Sequence, residues 1–220
     1  MRDAAVSGMV LSSMPIGEYD RRVVILTRER GKIAAFARGA RRPNSPLSAC
    51  CRPFATGEFE LFQGRDSYSL KSARILDYFE GIQNDMEAVY YGYYFAEFAD
   101  RATRENNDET EMLSLLYAAL KALSKEAIPN ELVKAVYELK GMILSGDYPG
   151  GAFADSSELL QRTEEFLAET PPERIFTFSL REDAAREFIA RVDKIRAYYI
   201  DRPFASLSIL REIVGPGIDS

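Results

Sequence analysis

Two hydrophobic periods divide the chain. Up to about residue 80, short runs rich in β-branched and aromatic residues recur between turn signals: Val6 to Leu11, Arg22 to Thr27, Lys32 to Ala37, Gly57 to Phe62 and Tyr68 to Leu76. The pattern predicts five strands. Between the second and third, Arg28-Glu29-Arg30-Gly31 ends on a glycine that supplies the positive φ of a tight hairpin, and Gly64-Arg65-Asp66 does the same between the fourth and fifth. Phe59-Glu60-Leu61-Phe62 does not alternate cleanly, so that strand has open boundaries. Five short antiparallel strands fit a small barrel. The OB-fold is the commonest such design that binds single strands, and an SH3-like barrel is the competing architecture.

From Gly81 the period becomes helical. Asn84-Asp85-Met86-Glu87 reads as a helix start with a Glu three residues after Asn84. It leads into Met86 to Ala102, where Ala88, Tyr91, Phe95 and Phe98 share a face. Met112, Leu115, Leu116, Ala119, Leu120 and Leu123 form a stripe within Asp108 to Leu123. A third helix runs from Asn130, after Pro129, to Leu144 and meets Gly146 as its terminator. Ser179-Leu180-Arg181-Glu182 has the capping-box pattern and opens a helix to about Tyr199; weaker helices are expected at Ser157 to Ala168 and Phe204 to Ile213. The fold expectation is therefore α+β and multidomain: an N-terminal five-stranded OB-fold barrel over residues 1–80, followed by an all-α helical domain over residues 81–220.

Composition narrows the chemistry. With 46% apolar and 28% charged residues among 220, the chain has the make-up of an ordinary soluble globular protein. No signal-like apolar run follows the start and no stretch of about 18 apolar residues occurs, so a cytoplasmic location without membrane contact is expected. Histidine is absent, which removes Ser-His-Asp and Cys-His nucleophiles, His metal ligation and the commonest general base. Neither GxxxxGK[ST] nor GxGxxG is present. Cys50 and Cys51 are adjacent, a poor geometry for a mutual bridge, so both are expected as reduced thiols. Glu164-Glu165 and Asp108-Glu109-Glu111 read as solvated helix faces and first-turn charges rather than a nuclease site. The chain reads as a non-enzyme.

Charge adds a direction. The formal total is −6, yet residues 1–80 carry 13 Lys and Arg against 9 Asp and Glu, a net of +4, whereas residues 81–220 carry 15 against 25, a net of −10. Residues 28–47, RERGKIAAFARGARRPNSPL, hold six cations, Arg28, Arg30, Lys32, Arg38, Arg41 and Arg42, against the single acid Glu29. A dense positive loop beside a sheet tracks a phosphate backbone and gains free energy from counterion release. Phe36, Phe62 and Tyr68 are candidates for base stacking if exposed. The competing reading makes the arginines a solvated rim and the aromatics core. The run Tyr90-Tyr91-Gly92-Tyr93-Tyr94-Phe95 cannot place every ring on one helical stripe; packing between the barrel and the helices accounts for it better than a stacking platform does.

Ordered strings then point to a family. Gly17-Glu18-Tyr19-Asp20, Leu26-Thr27-Arg28-Glu29-Arg30-Gly31, Ala37-Arg38-Gly39-Ala40-Arg41-Arg42, "DMEAVYYGYYFAEFAD" and "RPFASLSILREI" resemble the bacterial recombination mediator family RecO over nearly the whole chain. The resemblance implies an OB-fold followed by a helical domain. It implies binding of single- and double-stranded DNA, annealing of complementary strands, and action with RecR, in some members also RecF. It further implies loading of RecA onto DNA coated by single-stranded DNA-binding protein, whose acidic C-terminal tail the family recognises, and a cytoplasmic, nucleoid-associated location. The basic OB-fold positions fall on Arg28, Arg30 and Lys32 and on Arg38, Arg41 and Arg42. Lys121, Lys125, Lys134 and Lys140 are the basic candidates for the tail among the helices.

The sequence departs from the family in one respect. Many relatives carry a four-cysteine zinc motif after the helix matching Asn130 to Leu144. Here Gly146 to Gly151 leads into a segment without cysteine or histidine, so no zinc or other cofactor is expected, and the shape of residues 146–175 is open. An alternative function is a protein-binding scaffold whose basic loop docks an acidic partner segment, with DNA contact incidental.

Overall fold

The computed structural model describes residues 2–65, 67–125, 127–200 and 203–214; Asp66, the last residue of the predicted Gly64 turn, lies outside them. Strands β1 (Arg2–Ile16), β2 (Asp20–Thr27), β3 (Gly31–Ala37), β4 (Thr56–Gln63) and β5 (Tyr68–Asp77) close into a barrel in the order β1-β2-β3-β5-β4. Neighbours are antiparallel except β3 and β5, which meet in parallel at Ala35–Tyr68 and Phe36–Ser69. This is the OB-fold connectivity expected from the five runs.

β1 is much longer than the apolar run that announced it, because it pairs on both sides. Its first half faces β4 and its second half β2, with a bulge between Val10 and Ser12. Gly8 pairs with both neighbours, and a Cβ there would lie 2.3 Å from the Leu26 carbonyl oxygen. Alternation fills the interior with Val23, Ile25, Ile33, Ala35, Phe59 and Leu61. β4 therefore alternates after all: Glu58 and Glu60 point outward, and Phe62 follows them outside.

A four-residue helix absent from the sequence reading, α1 (Leu47–Cys50), sets Leu47 and Cys51 onto the barrel core. Both cysteines are buried and reduced, and burial pushes the Cys51 thiol up to about 11. On the outer face, Arg74 Nη2 meets Glu58 at 2.8 Å and Lys71 meets Asp3 at 3.1 Å, so charge on the β4–β5 flank is balanced locally.

Helices follow: α2 (Glu80–Gln83), α3 (Met86–Ala102), α4 (Thr110–Leu123), α5 (Asn130–Ser145), α6 (Glu158–Glu169), α7 (Glu182–Tyr199) and α8 (Ala205–Val214). The cap of α3 is Asp85 rather than Asn84, its carboxylate accepting the Ala88 N–H at 3.2 Å. α7 begins at Glu182 with Arg181 as N-cap and no side-chain cap bond, so the Ser179 capping box does not form. By compactness the chain divides into residues 1–80 with 96–113, and residues 81–95 with 114–220.

In the second unit, the tyrosine-rich run packs among helices. Phe95 stacks on Tyr137 of α5 with ring centroids 4.3 Å apart, and Tyr94 meets Phe204 edge-on at 5.2 Å. Below them lies a buried charge network. Lys134 Nζ contacts Asp193 at 2.6 Å and Glu138 at 3.3 Å, Arg196 reaches Glu138 at 3.0 Å, and the Tyr94 hydroxyl donates to Glu138 at 2.5 Å.

The segment without zinc ligands is held by a polar clamp. The Glu164 carboxylate accepts the Tyr148 hydroxyl proton and, at 2.8 Å, the Gly151 N–H; the Tyr148 oxygen in turn accepts the Ala152 N–H at 2.8 Å. Phe153 stacks on Phe188 of α7 at 5.5 Å, and Arg191 donates to the Ala152 carbonyl and pairs with Asp155. Residues 146–175 contain no cysteine or histidine. A chelator such as EDTA is therefore expected to leave the thermal midpoint unchanged, whereas Glu164→Ala, which strands these donors, is expected to cost about 1–3 kcal/mol in a denaturant titration.

Candidate nucleic-acid interface

β2 and β3 form a hairpin whose turn, residues 28–30, lies at one end and whose open termini lie at the other. Seven residues at about 3.3 Å each separate the two by about 23 Å. The six cations that are neighbours in sequence are thus two groups in space, Arg28, Arg30 and Lys32 about the turn and Arg38, Arg41 and Arg42 in the loop after β3.

At the turn, the cations are mostly engaged. Gly31 has φ +63°, the Thr27 hydroxyl donates to its carbonyl at 2.8 Å, and a Cβ on Gly31 would lie 2.2 Å from the Arg104 carbonyl oxygen. The chain at residues 104–106 lies along this turn: Lys32 N–H donates to Arg104 O and Asn106 N–H to Arg30 O, both at 3.0 Å. Lys32 Nζ pairs with Asp100 at 3.1 Å, and Arg30 donates to Gln63 Oε1 and the Tyr68 hydroxyl, each at 3.2 Å. Arg28 alone of the three is exposed and makes no ion pair among the described residues.

At the open end, backbone bonds present arginines outward. Asp20 accepts the Gly39 N–H at 2.8 Å, Arg41 N–H donates to Tyr19 O at 2.8 Å, and the Arg41 guanidinium donates to Gly17 O at 3.1 Å. Arg42 lies over the Tyr19 ring, 5.3 Å from its centroid, and buried Ala40 and Leu47 pin the loop to the core. Arg38, Arg41 and Arg42 are exposed, none with an ion pair among the described residues. Two further arginines of β2 join them: exposed Arg22, and Arg21, which donates to Ser13 Oγ at 3.2 Å. The sequence reading passed over Arg22, although its parity opposite to Val23 and Ile25 places it outside. The acids nearby are Glu18 and Asp20, and Asp20 is occupied by the loop.

The stacking candidates separate likewise. Phe36 is 36% exposed on β3, Phe62 is half-buried on the outside of β4, and Tyr68, 6% exposed, belongs to the core, with its hydroxyl taken by Arg30. Of the four tail candidates, Lys134 and Lys140 are buried, Lys134 in the charge network and Lys140 donating to the Ala168 carbonyl at 3.1 Å. Lys125 is exposed after α4, and Lys121 lies half-buried over the Tyr117 ring. Among the described residues, no three His, Cys, Asp or Glu side chains gather as a metal site, and no helix is long and apolar enough to cross a membrane.

Residues 1–79 match the family model described as recombination protein O N terminal, and residues 83–150 match that for recombination protein O C terminal. The chain belongs to the recombination protein O family. It is similar to the DNA repair protein RecO of Alkaliphilus metalliredigens, 35% identical over 142 residues, 64% of this chain and 58% of that protein. It is also similar to RecO of Acetivibrio thermocellus, 34% identical over 65% of this chain and 57% of the relative, and of Bacillus subtilis, 33% identical over 64% and 55%. The chain thus spans little more than half the length of the curated relatives it matches.

Two substitutions check the division between engaged and presented cations. Gly31→Ala combines a positive φ with a backbone collision and is expected to cost about 1–3 kcal/mol in chemical denaturation. Lys134→Ala leaves buried Glu138 and Asp193 with Arg196 as their one remaining cation among the described residues and is expected to cost about 3 kcal/mol, read as lost stability rather than as weakened binding by the folded protein.

Proposed function

We propose that this protein is a recombination mediator that acts in DNA repair by binding DNA through the open end of its barrel. The observation that carries this reading is the group of exposed arginines, Arg22, Arg38, Arg41 and Arg42, without an ion pair among the described residues and with few acids beside them. Each guanidinium offers a planar fork of donors suited to a phosphate, and the backbone bonds around Gly39 and Arg41 hold the loop before a ligand arrives. Neutralising the phosphates of two strands lets complementary bases meet, so annealing follows from electrostatics with no covalent step.

Family membership supports the remaining roles: action with RecR, in some members RecF, and loading of RecA onto DNA covered by single-stranded DNA-binding protein. With these roles goes a location in the bacterial cytoplasm at the nucleoid, which is part of the same proposal. For the acidic tail of the covering protein, Lys121 and Lys125 are the candidates at the surface.

The test is an Arg38/Arg41/Arg42→Ala protein in a labelled-oligonucleotide titration. Affinity is expected to fall steeply at about 0.1 M salt, and the slope of log K against log salt to flatten by about 2 for a single strand. Unchanged binding rejects the reading. Retained capture of an acidic peptide with no DNA binding by the unaltered protein favours the scaffold alternative instead.

A further inference from the structure

We propose that an outward belt around the barrel, Met14, Arg22, Phe36, Ser69 and Phe62, contacts unpaired bases and makes the protein discriminate single-stranded from duplex DNA. The belt is a consequence of register. Met14 lies opposite Arg22, Arg22 opposite Phe36, Phe36 beside Ser69, and Ser69 opposite Phe62. Directly paired residues share a sheet face; Ala35 and Ala37 beside Phe36, Tyr68 and Leu70 beside Ser69, Leu61 beside Phe62 and Val23 beside Arg22 fill the core, and Met14 is exposed. The five belt side chains therefore face out, on all five strands.

Their chemistry is specific. Met14 is 59% exposed, Phe36 presents its ring, and Phe62 lies two strands from Phe36, about 10 Å away by strand spacing, with only the small Ser69 between them. No acid interrupts the belt. Beyond Phe62 comes Asp3, which Lys71 neutralises at 3.1 Å. Arg22 stands between Met14 and Phe36, and the arginine loop begins at Arg38, two residues past Phe36. A surface that interleaves flat apolar faces with guanidinium groups complements a polymer that alternates phosphates with aromatic faces. In a duplex those faces are already stacked on each other, so the belt gains from an open strand what it does not gain from a closed one. The inference rests on the DNA-binding reading above and adds to it the strand state that is selected.

The chain contains no tryptophan, so Phe36→Trp installs a single fluorescent reporter on the belt. Adding an unlabelled single-stranded oligonucleotide is expected to quench it, and adding a blunt duplex of equal length is not, with binding of each followed separately by anisotropy of a labelled strand. The Phe36→Ala/Phe62→Ala protein is expected to lose at least about tenfold in single-strand affinity while its duplex affinity and salt slope stay unchanged. Circular dichroism and the retained duplex binding report that the variant is folded. Absent quenching while anisotropy reports bound DNA overturns the belt and leaves the arginine site standing. Equal quenching or equal losses on both DNA forms overturn strand discrimination, and no binding of either form overturns both proposals.

Discussion

Barrel closure through β1 is the constraint on which the rest depends. One strand supplies hydrogen-bonding edges to both β2 and β4, with the bulge after Val10 changing its course and Gly8 admitting the Leu26 carbonyl. Once the sheet is closed, side-chain parity is no longer negotiable. Val23 and Ile25 enter the core, so Arg22 stands outside; Ala35 and Ala37 enter, so Phe36 stands outside. The exposed chemistry is the complement of the buried packing.

Closure also decides which charges are used for structure. The turn of the β2–β3 hairpin accepts residues 104–106 alongside it, which draws Lys32 to Asp100, while Arg30 turns to Gln63 and Tyr68. At the opposite end the loop is organised by bonds to Asp20, Tyr19 and Gly17 that leave guanidinium groups exposed among the described residues. The same run of sequence thus serves anchoring at one end and display at the other.

Much of this was legible from residues alone. The β2 and β3 alternation, the Arg30-Gly31 turn, the helical stripe of Met112 to Leu123 and the terminator at Gly146 all act over a few neighbouring positions, where local chemistry decides. What was not legible depends on distant partners. The length of β1 comes from pairing with two strands, and the burial of Lys134 and Lys140 from α6 and α7, which bring Ala168 and Asp193. The polar clamp joins Tyr148 to Glu164, and Phe153 stacks on Phe188, pairs that no spacing rule connects. Asp85 capping α3 in place of Asn84 is a smaller case: both residue types cap, and backbone geometry chose between them.

The balanced β4–β5 flank has a consequence of its own. With Arg74 committed to Glu58 and Lys71 to Asp3, that side offers a polyanion no unspent positive charge from these pairs. Charge attraction is then one-sided: phosphates are drawn to the arginine end, and what the outer face of β4 adds is the Phe62 ring rather than unspent charge, so the backbone of a bound strand and its bases are held by different parts of one sheet surface.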